Sequence, residues 1–294
     1  MGNDLGRPQA AAPASLRSTG VSGLISLSDQ EFNTLTSFVK KKYGIDLTKK
    51  RVLIEGRLSN VLRERKLANF QQYLDILFKD NSGSEVTALL NRLTTNHSYF
   101  MREREHFDFL QQTVLPYLEK NHPNHELRIW SAGCSAGQEA YTMAMAIDEY
   151  FGSQKHLWDT TILATDISMN VLERAKKAVY PMDNLKDMPE KWRKKYTKAL
   201  PGGDIQVIEK IRREVIFRPF NLMDPFNFKR PFDLIFCRNV MIYFDGPTKE
   251  NLINKFYQYT SPGGYLFIGH SEVINRDTTQ YQYIKPAIYQ RGGK

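Results

Sequence analysis

Apolar residues recur at helical spacing through the first third of the chain, then give way near residue 127 to short apolar runs that alternate with helical stretches. Ser28 with Glu31 three residues on is a capping box, and Phe32, Leu35, Phe38 and Val39 then repeat on one helical face until Gly44. A second helix is predicted after Thr48, where Leu53, Ile54, Leu58, Val61 and Leu62 form a stripe. Shorter helices are predicted over Tyr73–Phe78 and Val86–Leu93. Residues 25–93 therefore read as a small all-helical domain, preceded by a leader (1–24) rich in Ala, Pro, Ser and Gly that has no period and reads as flexible.

Residues 94–104 break the helical period and are rich in hydrogen-bonding side chains, which suits a linker that reaches into a site. One more helix is predicted from about Glu105 to Leu118. Strands follow at Leu127–Ser131, Thr161–Thr165, Val215–Phe217, Phe232–Cys237 and Tyr265–Ile268, with helices at Gln138–Tyr150 and Asn170–Ala178. Such alternation predicts an α/β fold over 105–294: a doubly wound, Rossmann-like sheet whose ligand sits at the carboxyl ends of the strands. Asp204–Ile208 and Glu214–Phe217 have strand-like content near Gly202 and Gly203, so a small antiparallel β insertion is expected at about 180–217. Tyr281–Gln290, with Lys285 and Pro286 near its turn, reads as a closing hairpin.

Composition narrows the partners. The 294 residues carry a formal net charge of +9, which favours an acidic partner but does not choose among nucleic acid, an anionic membrane surface and an acidic protein. No ribonucleoprotein motif or zinc knuckle accompanies the charge. The two cysteines, Cys134 and Cys237, suggest neither a disulfide scaffold nor a zinc site. With no apolar run long enough to cross a bilayer and no signal-like segment in residues 1–20, a cytoplasmic protein is expected.

The segment Trp130–Glu139 (WSAGCSAGQE) joins a predicted strand to a helix, where small residues admit close backbone approach and the helix N-terminus favours negative charge. Such a turn also occurs for purely structural reasons. Asp166, ending the next strand, is placed to accept ribose hydroxyls, and the turn lacks the dinucleotide pattern G-x-G-x-x-G. Residues 133–137 (GCSAG) also match the nucleophile elbow of serine hydrolases, with His270 downstream, but everything before Leu127 reads as helix and no oxyanion loop precedes the turn. Phe232–Tyr243 holds a buried strand that ends in Arg238 and Asn239, which would aim hydrogen-bonding groups at the cleft, and then resumes an apolar helix-like run, although Asn239 as a turn former and Tyr243 as a core aromatic would serve structure alone.

From about Leu27 to Arg291 the chain resembles the CheR family of chemoreceptor glutamate methyltransferases. The phrases that carry the likeness are Leu93–Glu103 (LTTNHSYFMRE), Trp130–Glu139, Ala164–Asp166 (ATD), Phe236–Phe244 (FCRNVMIYF) and Gly269–Glu272 (GHSE). The resemblance implies a class I methyltransferase fold and a site for S-adenosylmethionine lined by Asn96, Ser98, Arg102, Gly133, Glu139, Asp166, Asn221, Leu222, Arg238 and Asn239. Ser98 stands where threonine is usual, and Gln138 and Ala140 replace the common Glu and Pro, without loss of a group that the chemistry needs.

Transfer of a methyl group from a sulfonium to a carboxylate is an in-line displacement that requires neither metal nor base, because a glutamate is already ionised at neutral pH. Arg102, guiding the carboxylate, and Tyr243, shaping the pocket, are the expected catalytic pair; the structural alternative for Arg102 is a salt bridge to Glu103 or Glu105. Lys49, Lys50, Arg51, Arg57 and Arg63 are the expected docking cations for an acidic helical substrate, or else a solvated face. The implied partner is the cytoplasmic helical bundle of a chemoreceptor, met by a monomer that binds no nucleic acid and inserts in no membrane. The short Lys198–Asp204 approach to the insertion further suggests that no receptor tail peptide is required. An RNA methyltransferase and a non-catalytic S-adenosylmethionine-binding module are the rival readings.

Overall fold

The structure, a computed structural model, describes residues 24–94 and 98–293. Most of the leader and the predicted site residue Asn96 lie outside the described residues. Four helices open the fold: α1 (Asp29–Tyr43), α2 (Arg51–Glu64), α3 (Phe70–Lys79) and α4 (Ser84–Leu93). The capping box on α1 is formed in both directions, and Gly44 ends the helix in the left-handed region at φ 73°. A longer helical stretch follows, α5 (Glu105–Phe109) and α6 (Leu115–Asn121), joined by a π-helical turn at Leu110–Val114.

The α/β part then runs β1 (Ile129–Ala132), α7 (Gln138–Phe151), β2 (Ile162–Asp166) and α8 (Met169–Lys177). An excursion follows through β3 (Val179–Pro181), α9 (Glu190–Tyr196), β4 (Thr197–Ala199), β5 (Asp204–Val207) and α10 (Glu209–Arg212). The chain closes with β6 (Val215–Pro219), β7 (Phe232–Cys237), α11 (Gly246–Tyr259), β8 (Thr260–Ile268), β9 (Gln282–Lys285) and β10 (Ile288–Gln290). The large sheet has the order β6-β2-β1-β7-β8-β10-β9. Pairing is parallel from β6 to β8 and antiparallel at the β10 and β9 end, which is the expected hairpin.

Strand order reverses at β1, with β2 and β6 on one side and β7 on the other, so a crevice opens at the carboxyl ends of β1 and β7. Alternation of side chains feeds two apolar layers. Ile129, Leu234, Phe236 and Phe267 face one, and Trp130, Ile235, Cys237 and Leu266 face the other. The second layer is continuous with the apolar side chains of α1–α4, so the helical segment closes over one face of the sheet.

The small sheet has the order β3-β5-β4. It corrects the expected extent of the insertion: Val215–Pro219 pairs in parallel with β2 as an edge of the large sheet, and the antiparallel excursion ends at Val207. The motifs also do not mark α11, although Asp245 caps it, Pro247 sits in its first turn, and Leu252, Ile253 and Phe256 are buried at helical spacing.

Candidate active site

The turn after β1 is built by backbone. The amides of Gly133 and Cys134 both donate to the Thr165 carbonyl at 2.8 Å, which holds the turn against the end of β2. Gly133 has φ 84°, and a Cβ there would come within 2.4 Å of the Val240 side chain, so this position tolerates only glycine. Asp166 is anchored next to it: the Ser135 amide donates to Oδ2 at 2.8 Å and the Ser168 amide to Oδ1 at 3.0 Å. Burial pushes the Asp166 carboxyl above its ordinary range against the pull of these amides. Each oxygen keeps acceptor capacity toward the cleft that it lines. Ser135 Oγ is buried with no hydrogen-bond partner, so the GCSAG turn contains no nucleophile bonded to a base.

On the opposite side, Arg238 leaves the end of β7 as a buried guanidinium between two carboxylates. Its Nη1 donates to Glu139 Oε2 at 3.0 Å, Nη2 donates to Glu103 Oε2 at 3.1 Å and to the Arg102 carbonyl, and Nε donates to Glu103 Oε2 at 3.3 Å. The same cation has opposite outcomes on its partners. Burial raises Glu103, but the Arg238 charge and hydrogen bonds outweigh it and leave that carboxyl below its usual range. Glu139 lies deeper, takes one Arg238 bond and one from Ser131 Oγ at 2.7 Å, and burial leaves it raised. Glu103 pairs with Arg238, 135 residues away. Arg102 itself is held between Met101 at φ 63° and Glu103 at φ 56°, two non-glycine residues in the left-handed region.

The helical segment completes the walls. The Asp46 amide donates to the Tyr243 carbonyl at 2.8 Å, Ile45 bridges to Phe244, and Lys40 pairs with Asp245 at 2.7 Å. Asn91 Nδ2 donates to the N-cap Ser168 Oγ at 3.0 Å. Tyr43, Ile45, Asn91 and Thr94 thereby line the cleft, a contribution that helical periodicity alone does not reveal.

The cleft encloses about 1140 Å³ including its open mouth. It brings together Ser98, Arg102, Gly133, Glu139, Asp166, Asn221, Leu222, Arg238, Asn239 and Tyr243. Asn221 turns its amide away, donating to the Lys42 carbonyl at 2.8 Å, so it fastens α1 to the rim. Gln138 donates from Nε2 to the Ser98 carbonyl at 3.3 Å and to Asn184 Oδ1 at 2.9 Å, bonds that a glutamate there would lack.

The basic set does not lie in the cleft and is not uniform. Lys49 and Lys50 are exposed, whereas Arg51 is committed to Asp29 at 2.6 Å, to the Leu27 carbonyl at 2.8 Å and to the face of Phe32. Arg57 donates to the Arg92 carbonyl at 2.7 Å, and Arg63 to Asn60 Oδ1.

Two family models cover almost the whole chain: the CheR methyltransferase all-alpha domain over residues 30–94 and the CheR methyltransferase SAM binding domain over residues 96–289. The chain belongs to the CheR methyltransferase family. Among CheR relatives, it is 44% identical to the chemotaxis protein methyltransferase of Borreliella burgdorferi over 272 residues, covering 91% of this chain and 96% of that one. It is 34% identical to the chemotaxis protein methyltransferase of Escherichia coli over 253 residues, 84% of this chain and 86% of that one. Membership in the CheR family makes the chain an S-adenosylmethionine-dependent methyltransferase of chemotaxis. Among the described residues no helix is long and apolar enough to cross a membrane.

Proposed function

We propose that the protein methylates glutamate side chains on the cytoplasmic helical bundle of chemoreceptors, giving glutamate methyl esters. The observation that carries this reading is that Arg102 and Tyr243 line the same cleft as Asp166, while Glu139, the other acid that lines it, is bonded to Arg238. Arg102 then gives an entering carboxylate a cation in the cleft. A glutamate substrate, ionised at neutral pH, needs no general base.

The residues fit the cofactor. Asp166 offers two anchored oxygens to vicinal hydroxyls, and Ser135 supplies a buried hydroxyl still lacking a partner. Ser98, Gly133, Glu139, Leu222, Arg238 and Asn239 would form the remaining walls, with Asn96 contributing from the linker. When bound, S-adenosylmethionine supplies an electrophilic methyl group. Arg102 would draw the substrate carboxylate into line, and Tyr243 would fix its approach and exclude water, an orientation effect worth up to about 7–11 kcal/mol in favourable cases. Charge falls on both reactants as the bond forms, so the protein's contribution is placement rather than proton transfer.

Lys49, Lys50 and Arg63 are the docking cations that are exposed, and with the partly buried Arg57 they would steer an acidic helical surface. Arg51 serves mainly to tie α2 to α1. The reading places the enzyme in the cytoplasm as a monomer that recognises receptors without a tail peptide. Incubation with methyl-labelled S-adenosylmethionine and a cell extract tests the substrate class. Base-labile label on membrane protein is expected; label on RNA, or base-stable label, would reject it.

A further inference from the structure

Glu272 ends the GHSE phrase, lies behind the cleft and is 5% exposed. Its carboxylate gathers backbone amides from two segments. Oε2 accepts from Asn239 at 2.9 Å and from Gly269 at 2.6 Å, and Oε1 accepts from Met241 at 2.6 Å. The Glu272 amide returns to the Gly269 carbonyl at 2.9 Å and closes the loop that carries it.

The gathered segment is the turn between β7 and α11, and its shape needs an outside hold. Asn239 sits at φ 60°, and a Cβ on Gly269 would come within 2.5 Å of Asn239 Nδ2, so the two segments touch with no slack. Asn239 Nδ2 donates to Glu103 Oε1 at 3.3 Å, which links the turn to the Arg238 cluster. Two residues further on, the 3-10 turn Met241–Tyr243 delivers Tyr243 to the cleft. An anion is the group that suits this place, since a carboxylate accepts on both oxygens, whereas an amide of the same size would aim its own N–H groups at part of the cluster.

We propose that Glu272 is a positioning residue for methyl transfer, its carboxylate fixing Asn239 and Tyr243 in reactive geometry through the backbone amides that it gathers. The inference rests on the reading of the cleft as a glutamate methyltransferase site. It separates charge from shape: Glu272→Gln keeps the shape and loses the anion, while Glu272→Asp keeps the anion on a shorter arm.

The experiment measures kcat at saturating S-adenosylmethionine, S-adenosylhomocysteine affinity and amide hydrogen exchange for both variants. Glu272→Gln is expected to lower kcat about a hundredfold, the scale of an ångström-level misplacement. Its S-adenosylhomocysteine affinity should fall by a smaller factor, and Glu272→Asp should retain more kcat than Glu272→Gln. Exchange at Asn239, Met241 and Gly269 should quicken in Glu272→Gln while the central strands stay protected. That readout needs no turnover, so it holds even if the wild type methylates some other group. Wild-type kcat and exchange in Glu272→Gln, or Gln outperforming Asp, would overturn the proposal. If Glu272→Gln does not fold, unchanged kcat and exchange in Glu272→Asp would do so.

Discussion

Replacing Arg238 by methionine removes the cation that bonds both Glu103 and Glu139 while keeping most of the side-chain volume. Two carboxylates in a largely buried site then lose the guanidinium they share, and breaking a buried pair in this way costs about 3–5 kcal/mol. For a chain of this size that corresponds to a fall in melting temperature of roughly 6–20 °C at pH 7. The sign of the pH dependence follows from the shifts. In the wild type Glu103 is held below its ordinary range, so the stability it contributes is present above its unfolded pKa and is lost as pH falls through its lowered folded pKa. Without Arg238, burial should outweigh the remaining hydrogen bonds from Asn239 and Ser131 and raise both carboxyls, so the variant recovers as they protonate on acidification. The gap between wild type and variant should therefore narrow from pH 7 to pH 5. Adding Glu139→Gln to the variant removes one of the stranded charges and should restore part of the loss. Thermal unfolding across that pH range, with the double variant alongside, is the assay. A fall of under about 2 °C at pH 7, or a gap independent of pH, would refute the view of Arg238 as the keystone of the acid pair.

Asp166→Ala should weaken S-adenosylhomocysteine binding by roughly 1.5–3 kcal/mol by removing charged acceptors, measured by calorimetry on the folded variant. Arg102→Ala and Tyr243→Phe should lower the methylation rate more than cofactor affinity; the reverse pattern would move either residue off the substrate side. Charge reversal at Lys49 and Lys50 should raise KM for receptor at low salt, with the effect shrinking as salt rises, while Arg51→Ala should act mainly on stability. A receptor tail peptide should not bind the small sheet; micromolar binding lost on mutation of β4 or β5 would contradict that expectation.

Local signals carried the parts of the fold that local physics decides. The Ser28–Glu31 box, the Gly44 stop and the apolar run Leu234–Cys237 of β7 each express a short-range rule, and each appears in the structure. Asp166 was legible for the same reason, since a strand end in a doubly wound sheet points at the ligand. Pairing at long range left no such mark. Glu103 and Arg238 meet across 135 positions, and only their polar character within two phrases hinted at a site. Strand membership was equally hidden: Val215–Pro219 has the same apolar content whether it closes a hairpin or edges a parallel sheet, and only its register against Ile162–Asp166 decides. The basic helix shows the opposite limit, for Arg51 and Lys50 are alike in sequence but one is bound to Asp29 and the other faces solvent.

Methyl transfer to a purified receptor cytoplasmic fragment tests the central claim most directly. With S-adenosylmethionine and wild-type protein, mass spectrometry of receptor peptides should find the added mass of one methylene on specific glutamates, removed by mild base. Replacing those glutamates by alanine should abolish it. Methylation that persists after the replacement, sits on another residue type, resists base, or fails to appear with folded, cofactor-binding protein would contradict the account.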